Sequence, residues 1–118
     1  MPDVPFHFVD VFAPAALTGN PVSIVPNADD LTRIQMQAIA REFNQSETTF
    51  LRAPTTNEAD VRLQSFTPIG AEVFGAGHNA LGAWLWLAHA ARLETDRTLF
   101  TQQIGDDLLP VELSLIHI

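Results

Sequence analysis

The feature that most constrains this 118-residue chain is the apolar run "ALGAWLWLAHAA", Ala80 to Ala91, broken only by Gly82 and His89. Wound as a helix over about residues 77–92, it is apolar nearly all round, with Trp84 and Trp86 on different faces. A helix of that kind must be enclosed by protein. It is too short to cross a bilayer, which takes roughly 20 apolar residues. The rest of the chain is therefore expected to wrap it, and the length suits one domain of about 50–200 residues.

The wrapping is expected to be mostly strands. "PFHFVDVF" (Pro5 to Phe12) and "VSIV" (Val22 to Val25) carry β-formers, and the "GNP" turn, Gly19 to Pro21, precedes the second. "ETTFL" (Glu47 to Leu51) and "ADVRLQSF" (Ala59 to Phe66) follow, the latter ended by "TPIG". A last pair is expected at Thr98–Ile104 and from Leu108 onward, with Gly105 and Asp106 at the turn. One outer helix is expected over about residues 31–44, its apolar face made of Met36, Ile39, Ala40 and Phe43. Thr32 and Gln35 have capping-box spacing, and Asp29 and Asp30 suit the positive end of its dipole. Many strands and few intervening helices make the fold class α+β.

Composition removes several functions. The formal charge of −8 lacks the basic footprint that nucleic acid requires. All six basic residues are arginines, so no lysine is present for a Schiff base or pyridoxal phosphate. With no cysteine there is no disulfide, thiolate zinc site or thiol nucleophile, which fits a reducing cytoplasm. "MPDVPFHF" has no basic region ahead of its apolar residues and does not read as a secretory signal. No metal site is expected: His78 and His89 share a helix face but stand roughly 16 Å apart, and no carboxylate cage appears. His89 reads as a core or rim histidine, and His7 alternates within a strand.

Two places could carry chemistry. Glu47, in "NQSETTF", opens a strand among small polar neighbours. It is either a solvated edge carboxylate or the acid/base of a partly dry cleft, where burial favours the neutral carboxyl and proton transfer becomes easier. "GAGHN", Gly75 to Asn79, opens the apolar helix. Gly75 and Gly77 permit close approach and positive φ, and the helix start turns unpaired N–H groups toward a carboxylate or developing enolate. The dipole there disfavours a charged imidazole, so His78 is expected to be a neutral donor or relay. The bland reading is that His78 or Asn79 caps the helix. Gly75 and Gly77 also match, formally, a dinucleotide-binding fingerprint, though Pro68 and Gly70 spoil the buried parallel strand such a motif follows.

Taken in order, "VDVF", "GNPVSIV", "AREFNQSETTF", "FTP" and "EVFGAGHNALGA" resemble the PhzF-like family of phenazine-biosynthesis isomerases, which have the diaminopimelate epimerase fold. The resemblance covers roughly residues 5–112, an N-terminal half of such an enzyme. It implies a curved, mostly antiparallel sheet around a central helix, a homodimer without cofactor, and a small acidic substrate held between two similar domains. By the same resemblance Glu47 is the catalytic acid/base, Gly77 and His78 bind and polarise substrate, and Asn20 lies near the cleft, with Asn79 beside it. Relatives of this fold that racemise use paired thiols; this chain has none, so a one-base proton shift is the expected chemistry. Two features depart from the phenazine enzyme of that family: one additional residue between "FTP" and Glu72, and Asn79 where that enzyme has proline.

The expected activity is a cofactor-independent isomerisation in the cytoplasm by the full-length protein, like that of a dihydro-hydroxyanthranilate isomerase, with this fragment inactive alone. The alternatives are a non-catalytic protein that binds a small acid, or the dinucleotide-binding domain. The last six residues, "LSLIHI" (Leu113 to Ile118), back-translate to the end of a common transposon sequencing adapter. Residues 1–112 are accordingly expected to be the domain and 113–118 an adapter-derived tail.

Overall fold

A computed structural model describes residues 5–11, 20–75, 78–90, 92–93 and 97–112, with the backbone alone at 10, 11, 20, 21, 78 and 79. The expected tail at 113–118 lies outside the described residues. Among the described residues, seven strands and two helices occur in the order β1 (His7–Val11), β2 (Asn20–Val25), α1 (Arg33–Phe43), β3 (Thr48–Arg52), β4 (Val61–Phe66), β5 (Glu72–Val73), α2 (His78–His89), β6 (Leu99–Ile104) and β7 (Asp107–Glu112). They form one mixed sheet in the order β1-β2-β3-β4-β6-β7, with β5 also on β4. The pairs β2–β3 and β4–β6 are parallel and the other four antiparallel. Each parallel pair is bridged by a helix, α1 in the first case and α2 in the second, because parallel neighbours need a long crossover.

Each central strand therefore buries two faces, and the period of two sorts its residues between the helices. Val22, Ile24, Leu51, Leu63, Phe100 and Ile104 pack with Ala80, Ala83, Trp84, Trp86 and Leu87 of α2. Val25, Phe50 and Phe66 pack with Met36 and Ala40 of α1, flanked by Ile39 and Phe43. The α1 face is the one expected from spacing. Its N-terminus closes the capping box: Gln35 N–H donates to the Thr32 hydroxyl and Thr32 N–H to Gln35 Oε1. The chain leaves through Asn44 in the left-handed region, its N–H donating to the Ala40 carbonyl.

Several expectations need correction. Asp29 and Asp30 are not in the first turn of α1; Asp29 Oδ1 instead accepts the Ala53 N–H at 2.7 Å. The helix α2 is not fully enclosed: Leu81 is 37% exposed, with Leu85 and Ala88 partly so, because the sheet covers the opposite flank. His89 is exposed on its last turn. The two-residue strand β5 was too short to leave a periodic signal. At the β6–β7 turn Gly105 has φ +60°, the left-handed conformation expected of glycine at the first position of a two-residue hairpin loop.

Two polar latches hold the far end of this framework. Trp84 Nε1–H donates to Gln102 Oε1 at 2.9 Å in the core, satisfying both groups. Asp60 receives two bonds from Arg97 (3.0 and 3.1 Å) and the Thr101 N–H at 2.7 Å, tying the start of β4 to β6. The Arg97 hydrogen bond, helped by the Thr101 N–H and the guanidinium charge, holds the Asp60 carboxyl below its usual range against a smaller opposing effect of burial.

Gln102→Met keeps the volume but orphans the indole N–H, and should cost about 1–3 kcal/mol in urea unfolding with an unchanged slope. A depressed folded-state pKa stabilises above the unfolded value of about 3.9 and loses that contribution as pH falls through the folded one. The difference in urea midpoint between wild type and Asp60→Asn should thus be full above about pH 5 and shrink towards pH 2.

Candidate functional site

Glu47 lies between the C-terminal end of α1 and the first residue of β3. Its carbonyl accepts the Ser23 N–H at 3.2 Å, one rung of the parallel ladder that pairs Ser23 with Thr48. The hydrogen bonding of the ladder thus already reaches Glu47. Continuing the alternation of β3 one residue back sets Glu47 on the same face as Thr49 and Leu51, the α2 side. One of its oxygens, Oε2, is shielded from solvent. The side chain as a whole is half-buried.

The topology brings three of the predicted segments to one end of the sheet. Thr48 pairs with Phe66, so β3 begins where β4 ends. β2 runs parallel to β3, so Asn20, its first residue and the partner of Val11, belongs to that same end. β6 lies parallel to β4, so α2 is the return path, and its N-terminal residues His78 and Asn79 start from the Phe66 end. The side chains of Asn20, His78 and Asn79, and all of Gly77, lie outside the described residues, so the neutral imidazole expected at His78 does too. What is described is a carboxylate at one strand start and, from the same end of the sheet, a helix start whose first amides have no intrahelical acceptor.

Gly75 does not behave as expected. Its φ is not positive, and a Cβ built on it would meet nothing within 4 Å. It is preceded by β5, a two-residue antiparallel strand, not by a buried parallel one. The geometry that a dinucleotide fingerprint demands of its first glycine and its strand is therefore missing, and that alternative is withdrawn.

A polar floor that sequence reasoning missed lies beside Glu47. The hydroxyls of Thr49 and Ser65, cross-strand partners, are 2.8 Å apart and buried on the α2 face. Thr49, two residues after Glu47, could have been found from the strand period; Ser65 needed the register. On the opposite face the "TPIG" turn is fastened to α1, where Gln37 Nε2 donates to the Gly70 carbonyl at 3.0 Å and Arg33 pairs with Glu72. The turn with the additional residue is thus pinned from behind. A separate pocket of about 270 Å³ lies at the far end of α2, between Trp84, Leu87, Phe100, Arg92 and Arg97. Glu47, the predicted site residue whose side chain is described, does not line it. Among the described residues no cluster of three or more metal-ligating side chains occurs, and no helix is long and apolar enough to cross a membrane.

Comparison with known proteins agrees with the fold. The family model described as phenazine biosynthesis-like protein matches residues 9–115. The trans-2,3-dihydro-3-hydroxyanthranilate isomerase of Pseudomonas chlororaphis is 44% identical over 100 residues, 85% of this chain and 34% of that protein. The crystal structure of a PhzF-family phenazine biosynthesis protein from Bacillus anthracis superposes with a TM-score of 0.85 at 32% identity, over 95% of this chain and 36% of the other. That of a predicted epimerase from Pseudomonas aeruginosa gives 0.79 at 30%, over 92% and 37%. The chain thus spans about a third of the length of these relatives. With the α+β fold, the motif order and these similarities in agreement, the chain belongs to the phenazine biosynthesis-like family that includes PhzF isomerases.

Proposed function

We propose that the full-length protein is a cofactor-independent isomerase that moves a proton on a small carboxylate-bearing metabolite, with Glu47 as the acid/base. The observation that carries this reading is the setting of Glu47: a half-buried carboxylate with one shielded oxygen, at the sheet end from which α2 starts. The Glu47 carboxylate takes a proton from a carbon of the substrate, and the electron pair passes into the adjoining conjugated system. Amides of the first turn of α2, with His78 and Gly77, balance the charge that develops on the substrate oxygen. The glutamic acid so formed returns the proton at a conjugated carbon on the same face, so atoms and charge balance with one carboxyl group. Asn20 and Asn79 complete the binding edge.

In this reading the protein works in the cytoplasm as a homodimer, and the present fragment is inactive alone. The relatives named trans-2,3-dihydro-3-hydroxyanthranilate isomerase, about 40% identical, favour a cyclic amino acid of that kind as the first substrate to try.

The test is deuterium exchange from solvent into trans-2,3-dihydro-3-hydroxyanthranilate, followed by mass spectrometry with the full-length protein. Glu47→Gln should lower exchange by at least about 100-fold while circular dichroism is unchanged. Exchange retained in the variant removes Glu47 from the role. Binding without any exchange in the wild type returns the cleft to a non-catalytic small-acid binder.

A further inference from the structure

The α1-side face of β3 and β4 carries a surplus of positive charge that the proposed reaction does not use. Arg52 and Arg62 are direct cross-strand partners in the antiparallel β3–β4 pair. Such partners have Cβ atoms about 5 Å apart, and like charges there are unfavourable. In a chain with a formal charge of −8 and only six arginines, two set side by side call for a cause.

Among the described residues no carboxylate forms an ion pair with either of them. Arg52 donates to two neutral acceptors, Gln64 Oε1 at 2.9 Å and the Asp29 carbonyl at 3.4 Å. The Asp29 carboxylate is engaged by the Ala53 N–H. Glu72 is paired with Arg33, and its other contact is Gln64 Nε2 at 3.4 Å. On the other flank of Arg62, its β6 partner Gln103 has its amide engaged by Thr55 and the Gly105 carbonyl. Arg62 Nε is buried without an acceptor among the described residues. A buried, unanswered guanidinium N–H is costly and rare in a native structure.

We propose that Arg52 and Arg62 form a binding site for a phosphate-sized oxyanion on the outer face of the sheet, opposite to Glu47. The two arginines stand opposite each other on one face of the sheet, Gln64 fixes the first, and the Nε–H of the second has no acceptor among the described residues. Planar, forked donors suit the oxygens of a phosphate group, free or carried by a small metabolite.

The experiment is thermal unfolding of the full-length protein in inorganic phosphate, against chloride and acetate at matched ionic strength, for wild type, Arg62→Gln and, as control, the exposed Arg41→Gln. Phosphate at about ten times its dissociation constant should raise the wild-type and Arg41→Gln midpoints by roughly 3–5 °C. Arg62→Gln should lose that response while unfolding no earlier than wild type in chloride, because relief of the like-charge pair offsets the lost side chain. Glycerol phosphate acting like inorganic phosphate extends the site to phosphoesters. An equal response in Arg62→Gln, an equal effect of acetate, or a lower chloride midpoint for Arg62→Gln overturns the proposal.

Discussion

The register of β3 between β2 and β4 is the constraint on which the rest of the structure depends. Ser23 pairs with Thr48 on one side and Phe66 with Thr48 on the other, and both neighbours are buried. With that pairing, Thr49 and Leu51 meet α2 while Thr48 and Phe50 meet α1. Because both faces are covered, a slip of one residue would exchange the two sets completely. Phe50 and Phe66, whose rings meet edge to face 6.0 Å apart, would leave the α1 core together with the residues that surround them. The position of Glu47 is therefore secured by packing a few residues downstream together with its own carbonyl, which accepts the Ser23 N–H.

Much of this was legible in the sequence wherever the signal was local. The capping box of α1, the apolar face of Met36 and Ala40, the glycine hairpin at Gly105 and the helical run through Trp84 each depend on residues within a few positions of one another. What failed depended on distance along the chain. The parallel pairings join strands separated by a whole helix, and Ser65 reaches Thr49 only once β4 is in place. Asp29 was assigned to a helix dipole by proximity, yet its carboxylate serves the end of β3 twenty-four residues on. Gly75 was read through a motif, although open space surrounds the position of its missing Cβ.

The helix α2 shows why composition overstates enclosure. Its buried flank holds two tryptophans in different environments: Trp84 against Phe100 and Gln102, and Trp86 beneath the His7 ring and the Arg92 guanidinium. Small residues, Ala80 and Ala83, let the strands approach between them. Leu81, Leu85 and Ala88 fall on the remaining flank at helical spacing and keep part of their surface in water. An apolar residue there costs little, since folded surfaces are more than half apolar. All-round apolarity thus marked a central helix correctly but did not say how many of its sides the sheet would reach.

Parity also separates the charged groups of the sheet. Along β3, Glu47 and Arg52 differ by an odd number of residues, so the carboxylate and the guanidinium face opposite layers. Across from them, Ser65 accompanies the first and Arg62 the second, again by parity alone. A one-residue slip would carry the Glu47 carboxylate to the arginine face, where ion pairing would occupy it, and would drive Arg52 into the apolar α2 layer. The desolvation of that guanidinium without a partner would add several kcal/mol to the packing loss. Charge and packing therefore select the same register, and the alternation that builds the core also sets the Glu47 carboxylate and the Arg52–Arg62 pair on opposite faces.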